Sequence, residues 1–169
     1  CSSDLWAMSR YAGVWVGLKA ITETMDSSAS VSIDPERIKI VTPDDFDMPD
    51  GGLHIRWPDL PLEQERRLQQ HKMYATLAFA KANKLDKIVI DSPNARLGIV
   101  TTGKSYLDVM QALDDLGIDQ DYAAELGLRI YKVGMPWPLE RDGIRHFADG
   151  LEEILVVEEK RAVIENQLK

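Results

Sequence analysis

Cysteine is almost missing from this chain: 169 residues hold one, Cys1. A single thiol excludes an intrachain disulfide, and it excludes a cysteine-rich zinc or iron–sulfur site built by this chain alone. Histidine is scarce too, and His54, His71 and His146 share no metal-ligand spacing. Positive charge is in deficit, with 20 Lys and Arg against 28 Asp and Glu, a net charge of −8. Such a chain has no generic attraction for nucleic acid or for anionic membranes, so neither is expected as a partner. The only adjacent arginine pair, Arg66 and Arg67, stands among Glu63, Glu65 and glutamines and reads as a solvated helix face. Long apolar runs are lacking as well. The stretch Leu5 to Ile21 is strongly apolar, but Arg10 and Lys19 interrupt it, so it is too short and too charged to span a bilayer. No basic segment precedes it as in a secretory signal. A cytoplasmic location is the default expectation. The opening CSSDLW shows no initiating methionine, so the chain reads as a piece of something larger.

What is present is enough apolar sequence, 44% of residues, for one domain with a proper core. Residues 5 to 25 read as a helix capped by Ser3 or Asp4. Its apolar side chains, Trp6, Met8, Tyr11, Val14, Trp15, Val16, Leu18 and Ile21, cover most of the circumference, so it needs a partner surface, either neighbouring protein or a second copy. SASVSID (28–34) and ERIKIVTP (36–43) suit short strands. Residues 42 to 61 hold five aspartates, four prolines and two adjacent glycines, which is loop composition. Asp45, Asp47 and Asp50 beside Gly51 resemble a calcium loop, but Pro49 takes the fifth position and Arg56 the twelfth, where a bidentate glutamate is needed. Pro61 suits the first turn of a helix over 62–82.

From Arg96 to Arg161 the pattern becomes regular. LGIVTT (97–102), LRIYKVG (128–134) and ILVVEE (154–159) read as strands. Helices are expected over 105–116, over 119–127 with Gly127 as its stop, within GIRHFADGLEE, and beginning at AVIENQLK. Alternation of this kind implies an α/β fold: a mostly parallel sheet with helices on both faces, Rossmann-like, preceded by a helical and short-strand segment. Val100 and Val156 are expected in central strands.

This run also contains a formal G-x-x-x-x-G-K-S match at Gly98, Gly103, Lys104 and Ser105. A phosphate loop wraps its ligand in backbone N–H groups and reaches it with lysine. Here Gly98 precedes Ile99 and Val100 and so lies inside the strand, leaving a turn too short for a full cradle. One reading is a small nucleotide-binding enzyme using Gly103, Lys104 and Ser105. A milder one is an anion held by Thr102, Gly103, Lys104 and Ser105 at a strand end and helix start. The plainest is a capped helix start with an exposed lysine. A free-standing interaction module is a further alternative.

Taken whole, GIVTTGKSYLDVMQAL, LRIYKVGMPWPLE and GLEEILVVEEKRAVIENQL resemble indolepyruvate ferredoxin oxidoreductase, of the thiamine-diphosphate-dependent 2-oxoacid:ferredoxin oxidoreductases. WAMSRYAGVWVGLKAITETMDSSASV resembles the end of that family's pyrimidine-binding domain. The resemblance implies that residues 1–95 are the tail of a preceding domain and a connection. Residues 96–169 would be a transketolase C-terminal-like domain cut short at its C-terminus, non-catalytic and structural. The parent would decarboxylate an aryl-pyruvate oxidatively with coenzyme A, using thiamine diphosphate, magnesium and iron–sulfur clusters, and pass electrons to ferredoxin. The partners implied are the parent's other domains, with a homo-oligomeric assembly. The family's GDG thiamine signature and its cysteine clusters are absent here, so no catalytic or metal-binding residue is assigned and the isolated piece is expected to be inert.

Overall fold

The computed structural model describes residues 2–34, 36 and 38–169. They form two compact units, one ending at Asn83 and one running from Lys84 to Lys169.

In the first unit, α1 (Ser2–Ala12) stops where Gly13 takes a left-handed φ of 65°. A side chain there would lie 2.8 Å from the Leu53 carbonyl oxygen, so glycine serves both the turn and the contact. The single helix expected over 5–25 does not form. The chain runs irregularly past Val14, Trp15 and Val16, β-branched and aromatic residues with poor helix propensity, and only α2 (Thr22–Met25) resumes it. Trp15 is fully exposed. The expected strands at 28–34 and 36–43 are also corrected: their described residues join no ladder, and Val31 and Ile33 face solvent. Pro35 and Arg37 lie outside the described residues. Alternating valine and isoleucine make a strand only where a neighbouring strand accepts their hydrogen bonds.

The helix expected over 62–82 is present as α3 (Pro61–Arg67), a π-helical segment (Leu68–Lys72) and α4 (Met73–Ala82), with proline in the first turn. Ala12 of α1, Leu53 and Ala75 of α4 form a buried cluster in this unit, with Tyr11, Val14 and Phe46 against it. Arg67 departs from the solvated-face reading. It is buried beside Asp59, Nη1 to Oδ2 at 2.6 Å, and this hydrogen bond holds the Asp59 carboxyl below its ordinary pKa. A two-pronged guanidinium–carboxylate pair is what allows an arginine to leave water.

The second unit is an open sheet of four strands in the order β1-β3-β2-β4, where β1 is Lys87–Ile90, β2 Leu97–Thr102, β3 Leu128–Val133 and β4 Glu153–Val157. β2 pairs in parallel with both β3 and β4, and β1 pairs antiparallel with β3. The sheet is therefore mostly parallel, as expected, and it begins upstream of residue 96. Val100 is central and fully buried, but Val156 lies on an edge strand and is only half-buried.

Side chains alternate across the pleat and divide the core in two. On one face Ile90, Ile99, Leu128 and Ile130 pack under α5 (Gly103–Asp115) and α6 (Gln120–Leu126), through Val109, Met110, Leu113 and Ala123. On the other, Val100, Tyr131 and Val133 pack under α7 (Arg141–Ala148) and α8 (Glu165–Leu168), through Ile144, Phe147, Ile164 and Leu168. Gly127 takes a left-handed φ of 73° and ends α6 as expected. Arg129 donates to the carbonyls of Phe147 and Asp149 at the end of α7 and to Asp91 after β1, tying the helix to the sheet.

Gly98 is the point in β2 where helix α7 and the Leu151 side chain come closest to the backbone. A Cβ there would meet Leu151 Cδ1 at 2.5 Å and Phe147 Cζ at 2.7 Å, and Phe147 is fully buried and unable to retreat. Gly98→Val is therefore expected to lower the unfolding free energy by about 1–3 kcal/mol or more. Urea denaturation reads this as a lower midpoint with an unchanged slope, and an unchanged midpoint would show that α7 does not press on β2.

Candidate functional site

Open α/β sheets take ligands at the carboxyl ends of their strands, where successive connections leave for opposite faces. Here that place is the end of β2. Its connection goes to α5 on one face, while β3 and β4 lead to α7 and α8 on the other. The residues singled out by the phosphate-loop pattern all stand there.

Each is already engaged in the fold. Gly98 is inside β2, in register with Arg129 and Ile154, and cannot open a loop. Thr102 is the last residue of β2, and its hydroxyl donates to the Val133 carbonyl at 2.8 Å. Gly103 starts α5 with a left-handed φ of 55° and open space where a side chain would stand. Lys104 Nζ pairs with both carboxylate oxygens of Asp108 one turn on, at 2.7 and 2.8 Å. That pair is solvent-exposed and lies along the helix's own surface. Ser105 is buried. The structure thus brings Thr102, Gly103, Lys104 and Ser105 together and supplies an acid beside the lysine. Nearby, the Lys132 ammonium of β3 sits 4.5 Å from the centre of the Tyr106 ring, a cation–π contact that holds the first turn of α5 to the sheet.

Residues that the sequence did not single out organise the rest of this end. The MPWPLE connection contains a cis peptide at Trp137-Pro138. Gln167 of α8 clamps it, accepting from Leu139 N–H and donating to the Pro136 carbonyl, both at 2.8 Å. Asp86 Oδ1 accepts from the Gly134 and Met135 amides at 2.8 and 3.0 Å, while its Oδ2 is buried without a hydrogen-bond partner. Glu140 caps α7 through the Asp142 and Gly143 amides. Glu158, just after β4, accepts from the amides of Val163, Ile164 and Glu165. Only the position of Glu140 immediately before a helix was a readable signal for any of these.

Burial raises the Asp86 carboxyl above its ordinary value, against the backbone amides that favour the charged form, and the negative charge of Glu140 adds to the rise. Burial likewise raises the Tyr131 hydroxyl, helped by the charges of Asp86 and Glu140, so the tyrosine stays a neutral packed ring. Chemically this is a set of loop clamps. Among the described residues no group of three or more His, Cys, Asp or Glu side chains converges as a metal site. The acids at this end point into their own backbone, and with one cysteine in the chain the residues present fit neither an iron–sulfur cluster nor a magnesium-held diphosphate. No helix among the described residues is long and apolar enough to cross a membrane.

The second unit is by its sheet order and its two helical layers an open α/β domain whose ligand-binding end is closed by its own side chains. Residues 87–169, just under half of the chain, match the indolepyruvate oxidoreductase domain. Its relatives include the indolepyruvate oxidoreductase subunit IorA of Pyrococcus horikoshii, 40% identical over 81 residues, which are 47% of this chain and 11% of the relative. The subunit of the same name from Thermococcus kodakarensis is 38% identical over 76 residues, 45% of this chain and 11% of the relative. That of Methanothermobacter marburgensis is 29% identical over 103 residues, 61% of this chain and 15% of the relative. The chain thus matches only a small part of the length of these proteins. Among solved structures, a 2-oxoglutarate:ferredoxin oxidoreductase from Magnetococcus marinus, with 2-oxoglutarate, coenzyme A and succinyl-CoA bound, aligns with a TM-score of 0.42 at 15% identity, covering 69% of this chain and 19% of that one.

The clamp at Asp86 has a pH signature. With its folded-state pKa raised, the native state binds the proton more tightly than the unfolded chain. This contribution to stability is fully present below the ordinary value of 3.8 and is lost as pH rises through the raised folded value. Asp86→Asn keeps an oxygen for the two amides and removes the titration, so its stability is expected to vary less with pH above 3.8 than that of the parent. Denaturation midpoints across the acid range check this, and parallel pH profiles for the two proteins would refute it.

Proposed function

We propose that this chain is a non-catalytic assembly domain of an indolepyruvate (2-oxoacid):ferredoxin oxidoreductase. The similarity of residues 87–169 to indolepyruvate oxidoreductase subunits carries the reading. The parent would convert an aryl-pyruvate and coenzyme A to an acyl-CoA and carbon dioxide, with thiamine diphosphate, magnesium and iron–sulfur clusters held by its other parts and ferredoxin as electron acceptor. Residues 96–169 would be its transketolase C-terminal-like domain, and residues 1–95 the end of the preceding pyrimidine-binding domain with a connection. The parent would be a cytoplasmic homo-oligomer, and this chain's direct partners would be the other domains of that enzyme.

The engagement of Thr102, Lys104 and Ser105 supports a structural role for the GKS motif rather than nucleotide binding. The exposed apolar side chains Trp15, Leu18, Trp57 and Leu155 suit surfaces made to meet more protein.

Ferredoxin reduction by the full-length enzyme with indolepyruvate and coenzyme A tests the reading. Lys104→Ala is expected to keep kcat/KM within about twofold, because an exposed i,i+4 pair contributes only about 0.3–0.5 kcal/mol. A loss of activity with the fold intact would make Lys104 functional. Micromolar binding of ATP with magnesium that disappears in the same variant would favour the nucleotide-binding enzyme instead.

A further inference from the structure

The first unit holds a cavity of ≈ 300 Å³ between the loop 49–59 and the helix that follows it. Arg56, Arg66, Arg67 and His71 all border it. The chain has 20 basic residues against 28 acidic ones, so three guanidiniums and an imidazole around one small space reverse its charge locally.

The acids beside the cavity do not cancel that charge evenly. Asp59 is taken up by Arg67: its two carboxylate oxygens accept from the two ends of that guanidinium, at 2.6 and 3.3 Å, in a buried pair. Glu63 pairs with Arg66, but both side chains are half exposed and such a pair contributes little. Arg56 forms no ion pair among the described residues. Its Nη2 donates to the carbonyls of Asp50 and Gly52, at 2.8 and 3.2 Å, which positions the guanidinium without neutralising it. Gly51 makes room for it, since a Cβ there would lie 2.6 Å from Nη2. Both bonds run from one nitrogen, so the rest of the fork remains free to donate.

The helical wall is irregular at the same place. Its π-helical segment, Leu68–Lys72, contains His71. π turns are rare in proteins and occur frequently at functional sites. The volume is at the small end of the range for ligand sites, roughly 300–1,000 Å³. Asp50 and Glu63 leave carboxylate oxygens at the rim, so a singly charged ligand gains little there. A phosphate group is close to doubly charged at neutral pH and offers three strong acceptor oxygens, so it competes with one carboxylate for Arg66.

We propose that this cavity binds a phosphate group, free or as a small ester, held by Arg56 and Arg66 with His71 as a further donor. The buried Arg67–Asp59 pair is the fixed wall behind it. The site lies within the first unit and does not depend on the reading of residues 87–169.

Carbethoxylation of His71 by diethyl pyrocarbonate, followed by mass spectrometry on the full-length protein in phosphate-free buffer, tests it. For a Kd of about 1 mM, inorganic phosphate at ~10 mM is expected to slow the reaction of His71 about tenfold. His54 and His146, both exposed and outside the cavity, are expected to keep their rates. Arg56→Gln and, separately, Arg66→Gln are expected to need at least about tenfold more phosphate for the same protection. If one variant fails to fold, the other decides. Equal protection by sodium chloride at matched ionic strength would reduce the effect to screening and overturn the proposal. Protection unchanged in either folded variant, or a His71 that phosphate does not protect or that never reacts, overturns it as well. Glycerol phosphate acting at lower concentration than inorganic phosphate assigns the site to an ester, and the reverse order assigns it to the free ion.

Discussion

The contact of the Phe147 ring with the bare backbone of Gly98 is what the second unit is built around. β2 hydrogen-bonds to parallel strands on both sides, so it can be covered only from above and below. α7 covers it closely because position 98 carries no side chain, and Phe147 also stacks on Tyr131 with ring centres 5.1 Å apart. Arg129 then fastens the end of α7 to the sheet. The same contact fixes the meaning of the Gly98–Ser105 motif. A glycine consumed by helix-on-sheet packing is not available to wrap a phosphate, whatever the spacing to the next glycine.

The end of the sheet where α/β domains usually hold ligands is occupied by the protein's own polar groups. Asp86, Glu140 and Glu158 each accept two or more backbone amides. Gln167 ties α8 to the Pro136–Leu139 turn. Side-chain acceptors set against backbone donors remove orphan N–H groups and make loops rigid. They also spend the carboxylates that a catalytic site would need as acids or bases.

Legibility in the sequence followed local competition. β2 and β3 were readable because their apolar runs are bounded by turn residues and each is long enough to be buried on both faces. Gly127 and Pro61 marked helix ends because their backbone preferences act without help from distant residues. The N-terminal segment misled for the opposite reason. Its apolar residues indicated burial, but Gly13 had to turn left-handed against Leu53, a contact from far along the chain. Valine and isoleucine at 28–41 could not become strands without a neighbouring edge. Arg67 looked solvated because its partner Asp59 precedes the helix and comes beside it only once the loop folds back. β1 carries little pattern of its own, because it is only four residues long and its antiparallel pairing depends on β3. The clamps at Asp86 and Gln167 could not have been read at all, since their acceptors and donors lie more than twenty residues away.

The two edges of this sheet obey different rules. β1 presents Lys87, which is exposed and charged, and its ladder to β3 is irregular between Ile88 and Ile90. A lysine and a bulge are devices by which edge strands avoid pairing with other chains. β4 keeps a regular ladder to β2 and sets four uncharged aliphatic residues in a row. Were both edges destined for water, the same pressure against aggregation would act on each. Protection on one side only leaves β4, with the groove beside Ile154 and Val156, as the unguarded edge of this sheet.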